Sequence, residues 1–428
     1  MSSLEERIDS GSWTIGVIGL GYVGLPLAVA ATTAGIKAIG FDVNEEYVGS
    51  LSAGQSSIED VSETQLRVAL DQGLMVTSDP QDLSSADMLV LCVPSPLGAH
   101  REPDMSFIQS AADTVAKVIS PNTLVSLEST TYPGTTEDII VPAVRAAGLE
   151  LDKDVWVAFS PERVSPGDEL KTADIPKVVG GVSPDSTRLA AKAYSQLVAK
   201  VHPVSDAAVA EMAKLLENTY RAVNIAMANE MAQMAHELDV DIWEVIDAAA
   251  TKPFGFQAFY PGPGVGGHCI PLDPQFLAWR AREMRFAPRF IDLAEQVNLH
   301  MPTYTANRVG EVLNSFGKSV QGATVLGLGV AYKPNIADDR ESASLDVLRI
   351  LAGRGARIEV FDPIVGAERV EERGLAAADG TGSYDIAIVL TDHDLFDLMA
   401  IASKSTVVFD TRGAYRKRGL EADNVVVM

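Results

Sequence analysis

The sequence predicts an α/β protein in which two doubly wound domains are joined by a helical central domain with one long connecting helix. From residue 13 to about residue 202, short β-branched runs alternate with helical stretches, and the alternation returns at TVLGLGV, nearer the C-terminus. Between these regions, from residue 205 to about residue 240, apolar residues recur at helical spacing without any proline. Alternating strands and helices indicate parallel sheets that are covered by helices on both faces.

The expected domain limits follow from where these patterns change. The first domain, residues 1–204, has its strands at TIGVIG, KAIGFD, MLVLCVP, TLVSLEST, VWVAFSP and KVVGG. The central domain, residues 205–317, contains helices to about residue 314, interrupted by the Gly/Pro-rich stretch 252–268. The last domain, residues 318–428, has its strands at TVLGLGV, RIEVFD, IAIVL and VVFDTR.

The acidic composition limits the kinds of partner. The 428 residues carry a formal net charge of -24, which argues against nucleic acid because phosphate contacts need a basic face. An anionic small ligand would need lysines and arginines inside particular motifs. No apolar run approaches the ~20 residues of a membrane span, and the N-terminal residues MSSLEERIDS lack a leader pattern. A cytoplasmic location without a membrane partner is therefore expected.

The cysteines support the same location. Cys92 and Cys269, the two cysteines of the chain, lie in unrelated sequence contexts, so a disulfide framework is not expected. A reducing compartment is the default for such a chain. No bound metal is expected.

The first glycine-rich turn, GLGYVG, predicts a dinucleotide site. Gly19, Gly21 and Gly24 have the G-x-G-x-x-G spacing directly after a strand and before a helix. The first glycine permits a tight turn, the second lets a pyrophosphate approach the backbone, and the third lets helix and strand pack closely. Asp42 ends the next strand, where a carboxylate can bind the adenosine ribose, and the residues after it, VNEE, offer no cation to a 2′-phosphate. NAD is therefore preferred over NADP, the alternative being a turn that serves packing alone.

The second glycine-rich turn differs from the first. GLGVAYK, residues 327–333, lacks the third glycine and offers Lys333 instead. This favours a site for a nucleotide diphosphate rather than a second site for NAD.

Cys269 is the candidate nucleophile. It follows a glycine loop in PGPGVGGHCIPLDP and precedes the helical stretch QFLAWRAREM. A helix N-terminus lowers the pKa of a nearby thiol. Asp273 follows four residues later, and the loop glycines would let a substrate lie against backbone amides; these are Gly264, Gly266 and Gly267. The alternative is a small buried cysteine that serves packing.

The long helix carries a second set of candidates. Lys214, Asn218 and Arg221 have the spacing of residues on one helical face. Ala, Met and Leu surround Lys214, which favours a buried lysine that points into a pocket over a solvated one. His268 flanks Cys269, and we expect it to have a structural or substrate-contact role rather than to act as a base.

Eight motifs resemble the UDP-glucose/GDP-mannose dehydrogenase family over nearly the whole chain and in the family's order. They are GLGYVG at Gly19, FDVN at Phe41, CVPSPL at Cys92, ESTTYPGTT at Glu128, SPERVSPG at Ser160, KLLENTYR at Lys214, GPGVGGHCIPLDP at Gly262 and GVAYKPNIADDRES at Gly329. The resemblance implies two Rossmann-like domains, NAD as cofactor, a UDP-sugar as substrate, a homodimer or higher homo-oligomer, and a role in polysaccharide synthesis.

The resemblance also implies roles for particular residues. Cys269 would be the nucleophile, with Lys214, Asn218 and Asp273 around it, while Thr130 and Glu162 would help to hold water and substrate. The expected NAD contacts are Gly19, Gly21, Tyr22, Val23, Gly24, Asp42, Ser95, Thr130 and Arg340. The expected UDP-sugar contacts are Arg163, Val164, Lys214, Asn218, Arg221, Tyr260, Gly266, Lys333 and Arg412.

Within the family, GGHC, PERV and REPD are similar to the branch that acts on UDP-N-acetyl-hexosamines. Enzymes for UDP-N-acetylmannosamine typically carry His-Pro-Arg shortly before the glycine loop, whereas this chain has TKPFGFQAFYPGPG. That stretch resembles the UDP-N-acetylglucosamine 6-dehydrogenases, with UDP-N-acetylmannosamine and UDP-glucose as alternatives. Pro166 and Tyr47 depart from the UDP-glucose pattern, where a glutamate and an arginine are common.

The implied reaction is a four-electron oxidation of the sugar C6 alcohol to a carboxylate, through a thiohemiacetal and a thioester on Cys269. Two other classes remain as alternatives: a two-electron 3-hydroxyacid dehydrogenase and a non-enzymatic sensor of NAD or a nucleotide. The first would leave Cys269 and the third domain unexplained, and the second would leave the joint presence of Cys269, Lys214 and Asp273 unexplained.

Overall fold

The computed structural model describes residues 3–58, 60–98, 100–163 and 175–428. The chain divides into two compact units. Unit 1 contains Met1–Glu217 and Gln275–Phe286, and unit 2 contains Asn218–Pro274 and Ala287–Met428.

Unit 1 contains an eight-stranded sheet in its described part, with the strand order β3-β2-β1-β4-β5-β6-β7-β8. The strands are β1 (Thr14–Ile18), β2 (Lys37–Phe41), β3 (Met75–Thr77), β4 (Met88–Leu91), β5 (Thr123–Leu127), β6 (Val155–Phe159), β7 (Lys177–Gly181) and β8 (Val201–Pro203). Every residue of β4 and β5 is buried, as expected for strands covered on both faces.

Helices cover both faces of this sheet, and two apolar clusters fill the space between helices and strands. The helices are α1 (Leu4–Asp9), α2 (Gly24–Thr33), α3 (Glu45–Ser52), α4 (Glu63–Asp71), α5 (Ser106–Val118), α6 (Val141–Ala146) and α7 (Pro184–Tyr194). A 3₁₀ helix spans Pro80–Ser85, and a π-helical turn spans Thr136–Ile140.

One strand pair in unit 1 departs from the predicted parallel arrangement. β6 and β7 pair antiparallel, with Phe159 opposite Gly180, whereas the neighbouring pairs in the sheet are parallel. The chain reverses direction between these two strands, so the first residue of β7 lies at the edge where β6 ends.

Unit 2 contains a six-stranded parallel sheet in its described part, with the order β11-β10-β9-β12-β13-β14. Its strands are β9 (Thr324–Leu328), β10 (Arg357–Phe361), β11 (Ala376–Ala377), β12 (Tyr384–Val389), β13 (Ser405–Asp410) and β14 (Val425–Val427). The two sheets share the order 3-2-1-4-5-6 of doubly wound nucleotide-binding folds, unit 1 with two further strands.

The middle of the chain is helical, as the sequence predicts. The long helix α8 spans Ala207–Glu237 within the predicted stretch, and α9 (Ile242–Ala250), α10 (Asp273–Glu283) and α11 (Arg289–Ser315) follow it. The Gly/Pro-rich stretch 252–268 contains no helix or strand. The C-terminal helices are α12 (Ala343–Gly353), α13 (Ala367–Glu372), α14 (Leu398–Lys404) and α15 (Ala414–Lys417).

Candidate active site

The predicted residues of unit 1 follow the carboxyl ends of its central strands. Gly19 follows β1, Asp42 follows β2, Ser95 lies in the loop after β4, Thr130 in the loop after β5, and Glu162 in the loop after β6. These strands run parallel, so their carboxyl ends lie at one edge of the sheet. In doubly wound folds this edge is where ligands bind, at the point where the strand order reverses.

The three glycines of the first turn differ in what surrounds them. Gly19 has a φ of +91°, and a Cβ there would lie 2.8 Å from the carbonyl oxygen of Cys92. A Cβ on Gly24, the first residue of α2, would lie 1.9 Å from the carbonyl oxygen of Gly19. A Cβ on Gly21 would meet nothing within 4 Å. Gly19 and Gly24 are therefore required by the protein's own packing, whereas Gly21 borders open space.

Asp42 has a carboxylate that is oriented by backbone amides. Its Oδ2 accepts the N–H of Leu20 at 3.0 Å, and its Oδ1 accepts the N–H of Asn44 at 3.0 Å. Tyr47 supports the same turn, because its hydroxyl donates to the carbonyl of Leu20 at 2.9 Å, and burial raises the pKa of that hydroxyl. Asp42 stays partly exposed.

The other predicted NAD contacts of unit 1 vary in exposure. Tyr22 is about half exposed, Val23 is the residue before α2, and Ser95 is buried. Their contact with a cofactor stays a prediction.

Lys214 is buried, with 9% of its surface exposed, on α8. Its ammonium donates a hydrogen bond to Oγ1 of Thr130. One turn earlier, the buried Glu211 accepts hydrogen bonds from the N–H of Gly134 at 2.5 Å and the N–H of Thr136 at 2.9 Å. Burial raises the pKa of Glu211 to about 7. The lysine and the loop after Thr130 are thus fixed to the same helix.

Glu162 belongs to a buried group of charges. Lys177 Nζ lies 2.7 Å from Glu128 Oε2 and 3.3 Å from Glu162 Oε2. Arg163, a predicted substrate contact, pairs through two nitrogens with Glu217, at 2.6 and 3.0 Å. Val164 and Pro166 lie outside the described residues.

Cys269 lies in unit 2, in the turn that leads into α10. Its carbonyl accepts the N–H of Asp273, the first residue of that helix, at 2.9 Å. Asp273 is 2% exposed, and Asn218 Nδ2 donates to its Oδ2 at 2.6 Å. Cys269 is partly exposed, and neither cysteine forms a disulfide in the described chain. A thiol and a fixed carboxylate therefore come from one turn, and His268 beside them is exposed.

The glycine loop before Cys269 packs against other residues of the chain. This packing corrects the expectation that its glycines make room for a substrate. A Cβ on Gly264 would lie 2.6 Å from Cβ of Ala343, and one on Gly266 would lie 2.7 Å from the carbonyl oxygen of Glu341. A Cβ on Gly267, where φ is +84°, would lie 2.8 Å from the ring of Tyr332. Residues 332–343 fill the space that side chains at these three positions would take, so the glycines leave no room for a substrate there. A backbone contact of Gly266 with the sugar stays a prediction.

The predicted cations of unit 2 lie around Tyr332 and the loop after β9. Arg340 forms an ion pair with Asp338, with Nη2 2.6 Å from Oδ2, and Lys333 is partly buried. Burial raises the pKa of Tyr332 to about 12; Asp338 and Cys269 add to the shift, and Arg340 and Arg221 oppose it. These charges are therefore within electrostatic range of the Tyr332 ring.

Arg412 and Tyr260 have structural partners. Nη1 of Arg412 lies beside Gly262, and a Cβ on this glycine would be 2.5 Å from that nitrogen. Nε of Arg412 donates to the carbonyl of Leu390 at 2.7 Å. Burial lowers the pKa of Arg412 to about 10. Tyr260 stacks on Trp243 with ring centroids 5.4 Å apart, and its hydroxyl donates to Asp247 at 2.9 Å.

Sequence reasoning missed Lys177, Glu211 and Tyr332. Glu211 could have been found, since it lies one helical turn before Lys214. Lys177 gave no signal, because its partner Glu128 is far away in sequence. Among the described residues, no group of three or more His, Cys, Asp or Glu side chains is arranged to bind a metal.

Three family models match consecutive parts of the chain. The NAD binding domain of the UDP-glucose/GDP-mannose dehydrogenase family matches residues 13–198, its central domain matches 208–300, and its UDP binding domain matches 326–417. The chain belongs to the UDP-glucose/GDP-mannose dehydrogenase family.

Relatives in this family align over most of their length. Protein CapL from Staphylococcus aureus is 38% identical over 412 residues, which are 93% of this chain and 95% of the relative. A UDP-N-acetyl-D-glucosamine 6-dehydrogenase from Pseudomonas aeruginosa is 36% identical over 394 residues, 90% of this chain and 92% of its own. The solved structure of a UDP-D-ManNAc dehydrogenase from Pyrococcus horikoshii matches with a TM-score of 0.87 and 32% identity, over 97% of this chain and 98% of that one.

Membership in the UDP-glucose/GDP-mannose dehydrogenase family confirms the predicted family, the fold class, the oxidoreductase activity and NAD as cofactor. The UDP binding domain supports a UDP-sugar as the substrate. The sensor and the 3-hydroxyacid dehydrogenase are therefore set aside. Among the described helices, none is long and apolar enough to cross a membrane.

Proposed function

We propose that the protein oxidises the C6 alcohol of a UDP-N-acetyl-hexosamine, UDP-N-acetylglucosamine by preference, to the uronic acid, with Cys269 holding the intermediate covalently. The turn around Cys269 is the observation that carries this proposal. It combines a partly exposed thiol in the turn before α10 with the buried carboxylate of Asp273, which Asn218 fixes. A two-electron alcohol dehydrogenase has no need of a nucleophilic thiol, whereas an enzyme that oxidises an aldehyde further can use one.

The first turn fits NAD. Gly21 borders the open space that a pyrophosphate would fill, the N-terminus of α2 offers backbone amides, and Asp42 is a partly exposed acceptor for ribose hydroxyls. Held by these groups, NAD would supply the hydride acceptor for both oxidations at C6. The overall change is R–CH₂OH + 2 NAD⁺ + H₂O → R–COO⁻ + 2 NADH + 3 H⁺.

The protein's own residues move the protons and hold the carbon. A water held by Asp273 takes the proton of the C6 alcohol, and the Lys214 ammonium stabilises the developing oxyanion. The Cys269 thiolate adds to the aldehyde, which gives a thiohemiacetal, and the second oxidation converts this to a thioester. Water oriented by Glu162 and Thr130 then hydrolyses the thioester.

The preference for the glucosamine sugar rests on one segment. TKPFGFQAFYPGPG lacks the His-Pro-Arg that is typical of UDP-N-acetylmannosamine enzymes, and a relative named UDP-N-acetyl-D-glucosamine 6-dehydrogenase supports the same choice. The solved relative named for UDP-D-ManNAc supports the mannosamine sugar as the alternative, and UDP-glucose is a third candidate.

A substrate panel tests the sugar. The purified protein with NAD and, separately, UDP-N-acetylglucosamine, UDP-N-acetylmannosamine and UDP-glucose should show its highest kcat/KM with the first. A higher kcat/KM with either other sugar would contradict the proposed specificity and leave the reaction intact.

A variant tests the covalent step. Cys269→Ser should still bind UDP-sugar and NAD in calorimetry but should stall at or after the first oxidation, because its hydroxyl is a poor nucleophile beside a thiolate. Lys153→Met, which removes an exposed lysine side chain, is the control and should turn over normally. Full turnover by Cys269→Ser would contradict the covalent mechanism.

We also propose the domain limits 1–204, 205–317 and 318–428, a cytoplasmic location, and a homodimer or higher homo-oligomer that serves polysaccharide synthesis. Exposed apolar side chains on α8 and just after it, among them Met227, Met234 and Leu238, support an oligomer. They line a cavity of about 270 Å³ together with residues of α9. Light scattering that gives the mass of a monomer at micromolar concentration would contradict the oligomer.

A further inference from the structure

Lys177 is a buried cation for which the mechanism above has no role. Its side chain is 7% exposed, and it contacts the fully buried side chain of Glu128 and the 17% exposed side chain of Glu162. Burying an ammonium costs several kcal/mol unless carboxylates compensate it. A core position of this kind is normally apolar, so the charge calls for an explanation.

The antiparallel strand explains how the lysine reaches this position. Phe159 of β6 is opposite Gly180 of β7, and continuing this register brings Lys177, the first residue of β7, beside Glu162. A parallel β7 would put its first residue at the other edge of the sheet. The reversal thus brings a cation to the edge where β5 and β6 end and where Glu128, Thr130 and Glu162 lie.

Glu128 anchors the lysine from the interior. Its Oε2 contacts Lys177 Nζ, and its Oε1 accepts the hydroxyl hydrogen of Tyr194 at 2.6 Å. Burial lowers the pKa of Lys177, but the carboxylates of Glu128 and Glu162 raise it by more, so the ammonium stays charged. Glu162 is the more exposed of the two carboxylates.

We propose that Lys177 is a positioning residue that holds Glu162 ionised and oriented for hydrolysis of the thioester. The inference rests on the role proposed above for Glu162. In that step the water oxygen bonds to the thioester carbon, Glu162 takes one proton of the water, and the C–S electron pair returns to Cys269. Glu162 can accept this proton only as a carboxylate.

The charged and titratable groups around Glu162 make this role specific. They are Lys177 from β7, Glu128 from the loop after β5, the Cys92 thiol from the loop after β4, and Tyr194 from α7 beyond Glu128. Among the described residues, this cluster contains the cation of Lys177 and the carboxylates of Glu128 and Glu162. Without the cation, two carboxylates share a poorly solvated site, which raises the pKa of both, and Glu162 also loses the partner that orients it.

The test compares Lys177→Met with Lys177→Arg during turnover. With Lys177→Met, kcat at pH 7 should fall about 10- to 100-fold, recover as pH rises, and acyl-enzyme on Cys269 should accumulate in intact-protein mass spectra. The KM for NAD should stay unchanged. Lys177→Arg should restore most of the rate, because it keeps the charge.

A double variant keeps the proposal testable if Lys177→Met does not fold. Glu128→Gln with Lys177→Met removes both charges of the buried pair, a replacement that is often tolerated. It should still accumulate acyl-enzyme, but with a smaller shift of the pH profile because Glu128 is no longer negative. Wild-type hydrolysis by the double variant would overturn the proposal.

Two further outcomes separate the proposals. In the first outcome, the wild-type enzyme forms acyl-enzyme, whereas Lys177→Met loses rate equally at every pH and accumulates no acyl-enzyme. This result would overturn only the role of Lys177. If neither the wild-type enzyme nor Lys177→Met forms an adduct on Cys269 during turnover, the covalent mechanism is wrong and, with it, this role.

Discussion

The two sheets carry the same glycine after their first strand and use it differently. Gly19 and Gly329 both have positive φ, +91° and +78°. A Cβ on Gly19 would lie 2.8 Å from the carbonyl of Cys92, and one on Gly329 would lie 2.5 Å from the carbonyl of Thr391. Cys92 and Thr391 both lie just after the fourth strand in sheet order, so the start of the two turns is equivalent.

The turns diverge after this glycine. In unit 1, α2 begins at Gly24 and packs directly on the turn, whereas in unit 2, α12 begins only at Ala343. The longer loop of unit 2 carries Lys333 and Arg340. A short turn brings a helix N-terminus to a pyrophosphate, while a long one supplies charged side chains.

The aspartates that end the second strands diverge as well. Asp42 accepts two backbone N–H groups and stays partly exposed. Asp362 is buried, and one of its oxygens accepts the N–H of Val330 at 2.7 Å and lies 3.2 Å from Nε2 of His393. The carboxylate also accepts the N–H groups of Ala331, Ile364 and Val365. A carboxylate that is saturated by its own fold has little capacity for a ribose. The comparison explains why one turn suits NAD and the other a UDP group.

The largest effect should come from Gly24→Ala. The new Cβ would lie 1.9 Å from a backbone oxygen, which no side-chain rotation can relieve. We expect a loss of about 3 kcal/mol or more in stability and loss of NAD binding, measured by thermal unfolding and NAD titration. Gly353→Ala in α12, where a Cβ meets nothing within 4 Å, is the matched control. A native melting temperature for Gly24→Ala would refute the packing argument.

The second effect should come from Asp362→Asn. An amide cannot accept all the N–H groups that now face the carboxylate, so we expect a loss of about 3 kcal/mol in stability without a change in preference for NAD. Asp42→Asn should do the reverse, with little change in stability and a reduced ratio of NAD to NADP affinity. If both variants changed cofactor preference equally, the distinction between the two acids would be wrong.

The third effect is on the free energy of unfolding, to which the carboxylates of Glu211 and Asp362 should contribute with opposite dependence on pH. Burial raises the pKa of Glu211 to about 7 from 4.5, so the stability it contributes is complete below pH 4.5 and is lost as pH rises through 7. Burial tends to raise the pKa of Asp362, but its hydrogen bonds to His393 and backbone amides lower it overall. The stability that the Asp362 carboxylate contributes to the fold is therefore present above pH 3.8 and is lost as the pH falls further. Denaturant titrations of Glu211→Gln should show a flatter profile between pH 4.5 and 7, and an unchanged slope would contradict this.

The fourth effect should come from Lys333→Met. The contact that we propose between Lys333 and the diphosphate should contribute about 2 kcal/mol, so its loss should raise the KM for UDP-sugar roughly 30-fold. The Kd of NAD should not change. Lys404→Met, at the end of α14, is a control outside both turns. A larger change in NAD affinity than in UDP-sugar KM would reverse our assignment of the two turns.

The smallest effect should come from Gly21→Ala. Nothing lies near the added methyl group, so the melting temperature should stay within a degree or so of the wild type, while NAD affinity should fall about 10-fold. Calorimetry with NAD measures the change. Native NAD affinity would show that the open space beside Gly21 is not used by the cofactor.

The sequence predicted the parts of the fold that have a strong local pattern. The long helix was predicted at 205–240 and is observed at Ala207–Glu237, because an uninterrupted apolar period defines it. The short strands β3, β8, β11 and β14 were missed, since two or three residues are too few to show a period.

The candidate site was predictable as residues but not as partners. GLGYVG and HCIPLD identified the turns, and Gly19 and Gly24 have the conformation and close packing that the spacing implies. The packing of Gly266 and Gly267 on Tyr332, and of Lys177 between two glutamates, depends on long-range contacts that spacing does not encode. The antiparallel β7 has the same cause, because strand direction is set by the connection and the neighbours.

The NADH formed per UDP-sugar consumed tests the four-electron reaction most directly. With UDP-N-acetylglucosamine limiting and NAD in excess, NADH absorbance at completion should equal twice the sugar added, with the uronic acid as the product. One NADH per sugar would mean that oxidation stops at the aldehyde, and the covalent role of Cys269 would then be wrong.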